Sequence, residues 1–165
     1  MPAGTLTPQP APDLPLPADA ETFEGESGWL MEISPTWKEF DLPVVDEDAA
    51  WWLKGKQNPS GTSVNVLVEK PMMMLELPAY VELSAANLER IYDADVQEIG
   101  VFDAGDHQYG RITYVGNFSG EKIAGIAYLV QLPDGWVVAT LASTPDLIEQ
   151  YAVSTEPLMA TLRAG

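Results

Sequence analysis

The chain contains no cysteine. Disulfides, thiol nucleophiles, zinc–thiolate sites and iron–sulfur clusters are therefore all excluded. Histidine is nearly absent too, with His107 alone among 165 residues. Basic residues are scarce: Lys and Arg total 8 against 25 Asp and Glu, a formal charge of −17. That balance excludes a phosphate-backbone partner, which calls for basic patches, so no nucleic acid is expected. It also disfavours docking on anionic lipid, and it keeps the chain dispersed in water. No apolar run approaches the roughly 20 residues that span a bilayer, so no membrane-spanning segment is expected. The first basic residue is Lys38, so the charged start of a secretory signal is missing. If Met1 is the native start, the protein is expected in the cytoplasm; otherwise the sequence is the mature form of an exported protein.

What is present amounts to one domain, with 46% hydrophobic residues to build a core. Residues 1–21 carry Pro2, Pro8, Pro10, Pro12, Pro15 and Pro17 and no aromatic residue. Proline removes backbone donors and fixes φ, so this segment is expected to be an extended, flexible arm. Residues 22–165 form the folded domain. Trp29, Met31 and Ile33 alternate along a strand that Pro35 ends. Residues 46–48 read as an acidic loop. A strand at 50–54 and another at 62–69, separated by the turn residues Asn58-Pro59-Ser60-Gly61, form a hairpin. Pro78 opens a helix that runs to Tyr92, with Tyr80, Leu83, Leu88 and Ile91 on one stripe.

Four strands follow, at 96–102, 108–116, 123–132 and 136–142, with turn signals at 103–106 and at Asp134-Gly135. Along 123–132 both alternating sets are largely apolar: Ile126, Tyr128, Val130 and Leu132 on one face, Ala127 and Leu129 on the other. A strand buried on both faces requires a layer on each side of the sheet. Thr144-Pro145-Asp146 reads as a helix start, with the threonine hydroxyl as cap. Pro157 is expected to break that helix near Ser154. Antiparallel hairpins with helices set apart from them define an α+β domain.

The chemistry-bearing residues form no catalytic constellation. His107 lies in the turn region beside Asp103 and Asp106, where a solvated loop histidine is expected. No serine stands in a nucleophile-elbow pattern, and no glycine-rich phosphate loop is present. Asp93-Ala94-Asp95 fails as a calcium loop, because Glu98 and Ala104 stand where glycine and glutamate are required. The chain is accordingly expected not to be an enzyme, with no catalytic residue, no cofactor and no metal. Tryptophan and methionine stand out instead. Trp51 and Trp52 are adjacent, so on a strand they face opposite ways, one to the core and one outward. Met72, Met73 and Met74 fall between Pro71 and Pro78, and methionine is common on adaptable binding surfaces. Trp51, Trp52, Met72, Met73 and Met74 are the candidate contacts for a protein partner.

Several local patterns together resemble one family. They are Gly28-Trp29 with Ser34-Pro35-Thr36-Trp37, then Tyr80-x-x-x-Ser84-x-x-Asn87-Leu88, then Gly110-Arg111-Ile112-Thr113-Tyr114. Tyr128 through Asp134-Gly135-Trp136, followed by Leu141-Ala142-Ser143-Thr144, completes the set. Over about residues 28–163 this order is similar to the PsbP/Mog/LpqN-like superfamily, and most of all to its actinobacterial LpqN-like branch. The resemblance implies an antiparallel β-sheet sandwiched between helices, in an α/β/α arrangement. It also implies binding and assembly roles, as in photosystem accessory subunits, a Ran-binding protein and actinobacterial lipoproteins. It carries over no catalytic residue. The lipoproteins have a lipidated cysteine after a signal peptide, and this sequence has neither.

Three readings of function follow: a non-enzymatic accessory or assembly domain that recognises a protein partner through an apolar patch, a cytosolic chaperone for hydrophobic segments of a secreted client, or a carrier of lipid or another small molecule.

Overall fold

The computed structural model describes residues 4–39, 47–53, 62–70, 73–118 and 120–165. The turn at 58–61, together with Asp46, Lys54, Pro71 and Met72, lies outside them. In chain order the elements are β1 (Gln9–Pro10), β2 (Glu21–Glu24), β3 (Trp29–Ile33), β4 (Lys38–Glu39), β5 (Glu47–Trp52) and β6 (Ser63–Glu69). Then come α1 (Leu77–Tyr92), β7 (Asp95–Asp103), β8 (Gln108–Phe118), β9 (Glu121–Leu132), β10 (Gly135–Ser143), α2 (Ile148–Met159) and β11 (Arg163–Ala164).

Among the described residues the large sheet has the order β1-β7-β8-β9-β10-β6-β5-β4. It is antiparallel except where β1 pairs with β7. A second sheet has the order β11-β3-β2. The expected hairpin is present, with Trp51 opposite Val64. So is the expected burial of β9 on both faces. Ile126, Tyr128, Val130 and Leu132 join a core shared with Trp29, Met31, Trp51, Leu141, Met159 and Leu162. Ala127 and Leu129 join the opposite core, with Tyr80, Val81, Ala85, Ile112 and Trp136. One face of the sheet thus carries α1, and the other carries α2 and the small sheet. This is the expected α+β sandwich, with the small sheet added to one layer.

Local chemistry sets the ends of α1. Pro78 occupies its first turn, where a missing N–H costs nothing. Asp93 closes it at φ 52, with its own N–H bonded to the Leu88 carbonyl. Aspartate is one of the few side chains that tolerate that left-handed conformation. Two glycines make room for a neighbour, one between layers and one within the sheet. A Cβ on Gly110 would lie 2.2 Å from Cγ2 of Val81, so α1 sits directly on β8 there. A Cβ on Gly125 would lie 2.3 Å from Cζ of Tyr114, so that ring lies flat across the sheet.

Several expectations are corrected. Residues 4–21 are laid along the domain rather than free, largely extended up to a turn at 17–20. Leu6 packs on the α1 side and Ala11 on the α2 side. Between them Gln9 and Pro10 pair with Phe102 and Asp103, and the Ala11 N–H reaches the Asp103 carbonyl at 2.9 Å. The last residue of this segment, Glu21, already belongs to β2.

Residues 47–48 are strand rather than loop. A bulge between Glu47 and Ala49 turns Asp48 aside, where it accepts the Trp29 indole N–H at 2.6 Å and ties the two sheets together. Helix α2 starts at Ile148, because the Thr144 carbonyl, not its hydroxyl, takes the N–H groups of Leu147 and Ile148. Pro157 does not break it. The carbonyl left without a helical donor belongs to Val153, which is 81% exposed and can be served by water.

Candidate functional site

The five residues expected to meet a partner do not form one surface. Trp51 is fully buried, edge-on to Phe23 with ring centroids 5.0 Å apart. Trp52 points the other way and is 41% exposed. Met73 is 61% exposed, Met74 is half-buried, and Met72 lies outside the described residues. Trp52 pairs with Ser63 at the start of β6, whereas Met73 follows its end. At the usual rise per strand residue those two places are about 20 Å apart.

A better-formed site lies beside α1. The helix rests mainly on β7 and β8 and reaches β10 and β6 through Tyr80 at its start, so most of β10 and β6 falls outside its footprint. A cleft of about 500 Å³ opens in the angle between them. Its floor is apolar, from Leu67, Ile112, Leu129 and Val138. Its rim is the exposed flank of α1, where Leu83, Ile91 and Tyr92 face solvent. Sequence reasoning placed Leu83 and Ile91 on one mostly apolar stripe with Tyr80 and Leu88. The structure turns them to the edge, because Val81 and Ala85 take the central line of contact.

Polar groups are few. At one end Tyr80 donates its hydroxyl to Glu69. Burial, then the hydrogen bond and charge of Glu69, push the Tyr80 phenol well above the usual range, so it stays a neutral donor. Ser84, Asn87 and Thr140 line the middle. At the far end burial, then the charge of Tyr92, push the Tyr114 phenol up to about 12. This arrangement can hold an apolar body and orient a polar end, but it brings together no nucleophile and base.

Trp52 shares this face. The register runs Ala142–Ser63–Trp52 across β10, β6 and β5, beside the row Thr140–Asn65–Ala50.

His107 is not a solvated loop residue. Its Nδ1 lies 2.8 Å from Oδ1 of Asp106, and its Nε2 lies 2.8 Å from the Ala160 carbonyl oxygen. It joins the β7–β8 turn to the end of α2, far in sequence, and no local pattern could have placed it there. Among the described residues no three Asp, Glu or His side chains converge as a metal site would require. No helix among them is long and apolar enough to cross a membrane.

Known proteins match this chain in fold. Cyanobacterial PsbP (CyanoP) from Synechocystis sp. PCC 6803 superposes with a TM-score of 0.68 at 9% identity, covering 90% of this chain and 94% of that one. LpqN of Mycobacterium tuberculosis, a protein involved in cell envelope biogenesis, gives 0.60 at 7% identity over 87% and 89%. PA94 of Pseudomonas aeruginosa, a protein of unknown function, gives 0.51 at 15% identity over 84% and 96%. No family model matches the sequence, and no curated protein matches it. The chain therefore has a PsbP/LpqN-like fold, and the likeness extends to both branches.

Proposed function

We propose that this domain is a non-enzymatic binding module that holds the apolar part of a small amphiphile in the cleft beside α1. The observation that carries this reading is the cleft, a concavity of about 500 Å³ with an apolar floor and a few polar groups along it. Small-molecule sites have this size and composition, roughly 300–1,000 Å³. A stable protein interface needs on the order of 800 Å² from each partner. The exposed Trp52 and Met73, at opposite ends of β6, make no such continuous patch. The acidity of the chain favours a neutral or zwitterionic head group over an anionic one. By the same proposal the protein belongs with the LpqN-like branch and serves an accessory role at a cell envelope, where amphiphiles are handled.

The test is a titration with lysophosphatidylcholine below its micelle concentration, followed by the methyl resonances of Leu83, Leu88, Ile112 and Val138. Saturable shifts confined to these groups are expected. Leu83→Asp with Ile91→Asp, both on the exposed rim, is expected to weaken binding at least tenfold without unfolding the domain. Binding that the double variant leaves unchanged sinks the reading.

A second reading keeps the protein partner or client. Trp52 lies on the cleft's own face of the sheet, so an extended apolar peptide crossing β10, β6 and β5 would meet both. It predicts that an apolar peptide displaces the amphiphile and that Trp52→Ala weakens only the peptide. A peptide that cannot compete removes this reading.

A further inference from the structure

A second cleft, of about 580 Å³, lies on the opposite face of the sheet between β7, β8, β9 and α2. Its floor carries a compensated ion pair. Arg111 donates Nε–H to Oε1 of Glu156 at 2.6 Å, and Tyr128 donates its hydroxyl to the same oxygen at 2.7 Å. Burial opposes the Arg111 charge, but the hydrogen bond and charge of Glu156 outweigh it and leave the guanidinium more firmly protonated than usual. Both donors converge on Oε1, and no side chain among the described residues donates to Oε2 of Glu156.

Two further observations bear on what would enter. Thr113 lies two residues along β8 from Arg111, on the same face, and lines the cleft. It is only 8% exposed, and its Oγ1 is buried with no hydrogen-bond partner among the described residues. A buried hydroxyl in that state is costly unless something meets it. The cleft is also electrically one-sided. Arg111 is shared by Glu156 and, at 3.9 Å, by Glu98, while Glu149 also stands at the rim, and no other cation among the described residues lines the cleft. The rest of the wall is apolar, from Ile126, Ile148 and Ala152.

We propose that this cleft binds a small organic cation, an alkylammonium, with its nitrogen between Glu156 Oε2 and the Thr113 hydroxyl and its tail on Ile126, Ile148 and Ala152. An ammonium brings three donors and no acceptor. Glu156 Oε2 and the Thr113 lone pairs are the acceptors it would use. An anion would find its only cation already paired and two rim carboxylates against it. A bare divalent metal would need converging oxygen ligands, which the described residues do not supply.

The test compares n-hexylammonium, hexanol and hexanoate, matched in tail and differing in charge, at equal ionic strength set with sodium chloride. Amide shifts of the full chain report where each one binds. Hexylammonium is expected to saturate with shifts at Thr113, Ile126, Ala152 and Glu156, at least tenfold tighter than hexanol and with no saturation by hexanoate. Thr113→Val and Glu149→Gln both leave the Arg111–Glu156–Tyr128 contacts intact, and each is expected to weaken binding several-fold. Thr113→Val without ligand is expected to raise the melting temperature, since the unmet hydroxyl is gone. Equal affinity for hexanol, shifts at Leu83 and Leu88 instead, shifts spread over the whole acidic surface, or no saturable binding each overturns the proposal.

Discussion

Tyr80 and Trp136 lie face to face, with ring centroids 4.0 Å apart and planes 5° apart. One ring comes from α1 and the other from β10, so the stack fixes the helix to the sheet at the closed end of the cleft. The Tyr80 hydroxyl goes on to Glu69 at the end of β6, which makes one side chain the tie among three elements.

Removing the two parts of that tie should have different costs. Tyr80→Phe keeps the stack and loses the hydrogen bond, at about 1–3 kcal/mol for a bond to a charged group. Tyr80→Ala loses the ring as well and is expected to cost about 3–5 kcal/mol. Urea unfolding of both variants checks the order. Equal losses would mean that the hydrogen bond alone holds α1 at this end.

The close approach of α1 to β8 predicts a second effect. Gly110→Ala would drive a methyl group to 2.2 Å from the Val81 side chain. The strain is expected to cost about 1–3 kcal/mol and to lift the helix from the sheet. Val81→Ala in the same chain removes the clashing methyl groups, so the double variant should lose less than the two single losses added together. Strict additivity in denaturant titrations would show that Gly110 is not what sets this contact.

Alkaline stability follows from the buried phenols. Tyr114 is held up to about 12 against an ordinary 10.0, by burial first and Tyr92 second. Between those values the unfolded chain gives up the proton and the folded chain keeps it. Stability is therefore full below about pH 10 and falls as the pH rises towards about 12, by roughly 2–3 kcal/mol for this group. Tyr80 and Tyr128 are raised in the same direction and add to the slope. Tyr114→Phe should flatten the fall measured by thermal melting between pH 9 and 12, and an unchanged slope would contradict it.

The N-terminal segment should behave as a strap rather than a tether. Thr5 donates its amide N–H to Glu82 at 2.8 Å, and its hydroxyl donates to the same oxygen. These bonds hold the Glu82 carboxyl below its usual range. The anchor is therefore complete above the normal glutamate range and is lost as the pH falls below that range, through the lowered value of the folded chain. Hydrogen exchange at neutral pH should find the Ala11 amide protected and the Thr5 amide slowed. Glu82→Gln should speed exchange at Thr5 several-fold. Free exchange at both positions would restore the mobile arm that the prolines imply.

Much of the architecture was legible in the residues. The apolar period of β9, the turn chemistry at Asp134-Gly135 and the proline before α1 each report interactions among near neighbours, which a sequence states directly. The layers on both sides of the sheet followed from β9 alone. The candidate site was much less legible. Alternation places Trp51 and Trp52 on opposite faces but cannot say which face is core when both are covered. That choice fell to the small sheet, whose Phe23 and Trp29 lie far away in sequence and close around Trp51. The methionines looked like partners of Trp52 until strand pairing put the length of β6 between them.

The sequence by itself determined the main strands, both helices and their order, and that this chain is acidic and without thiol chemistry. Only the tertiary structure decided that α1 rests on β7 and β8 and leaves a cleft over β10, that residues 4–14 bind the domain edge, and that His107 reaches Ala160. Periodicity and turn chemistry are local energies. The docking of one layer on another is set by which side chains can interpenetrate, here Val81 against the bare backbone of Gly110, and no local pattern encodes that.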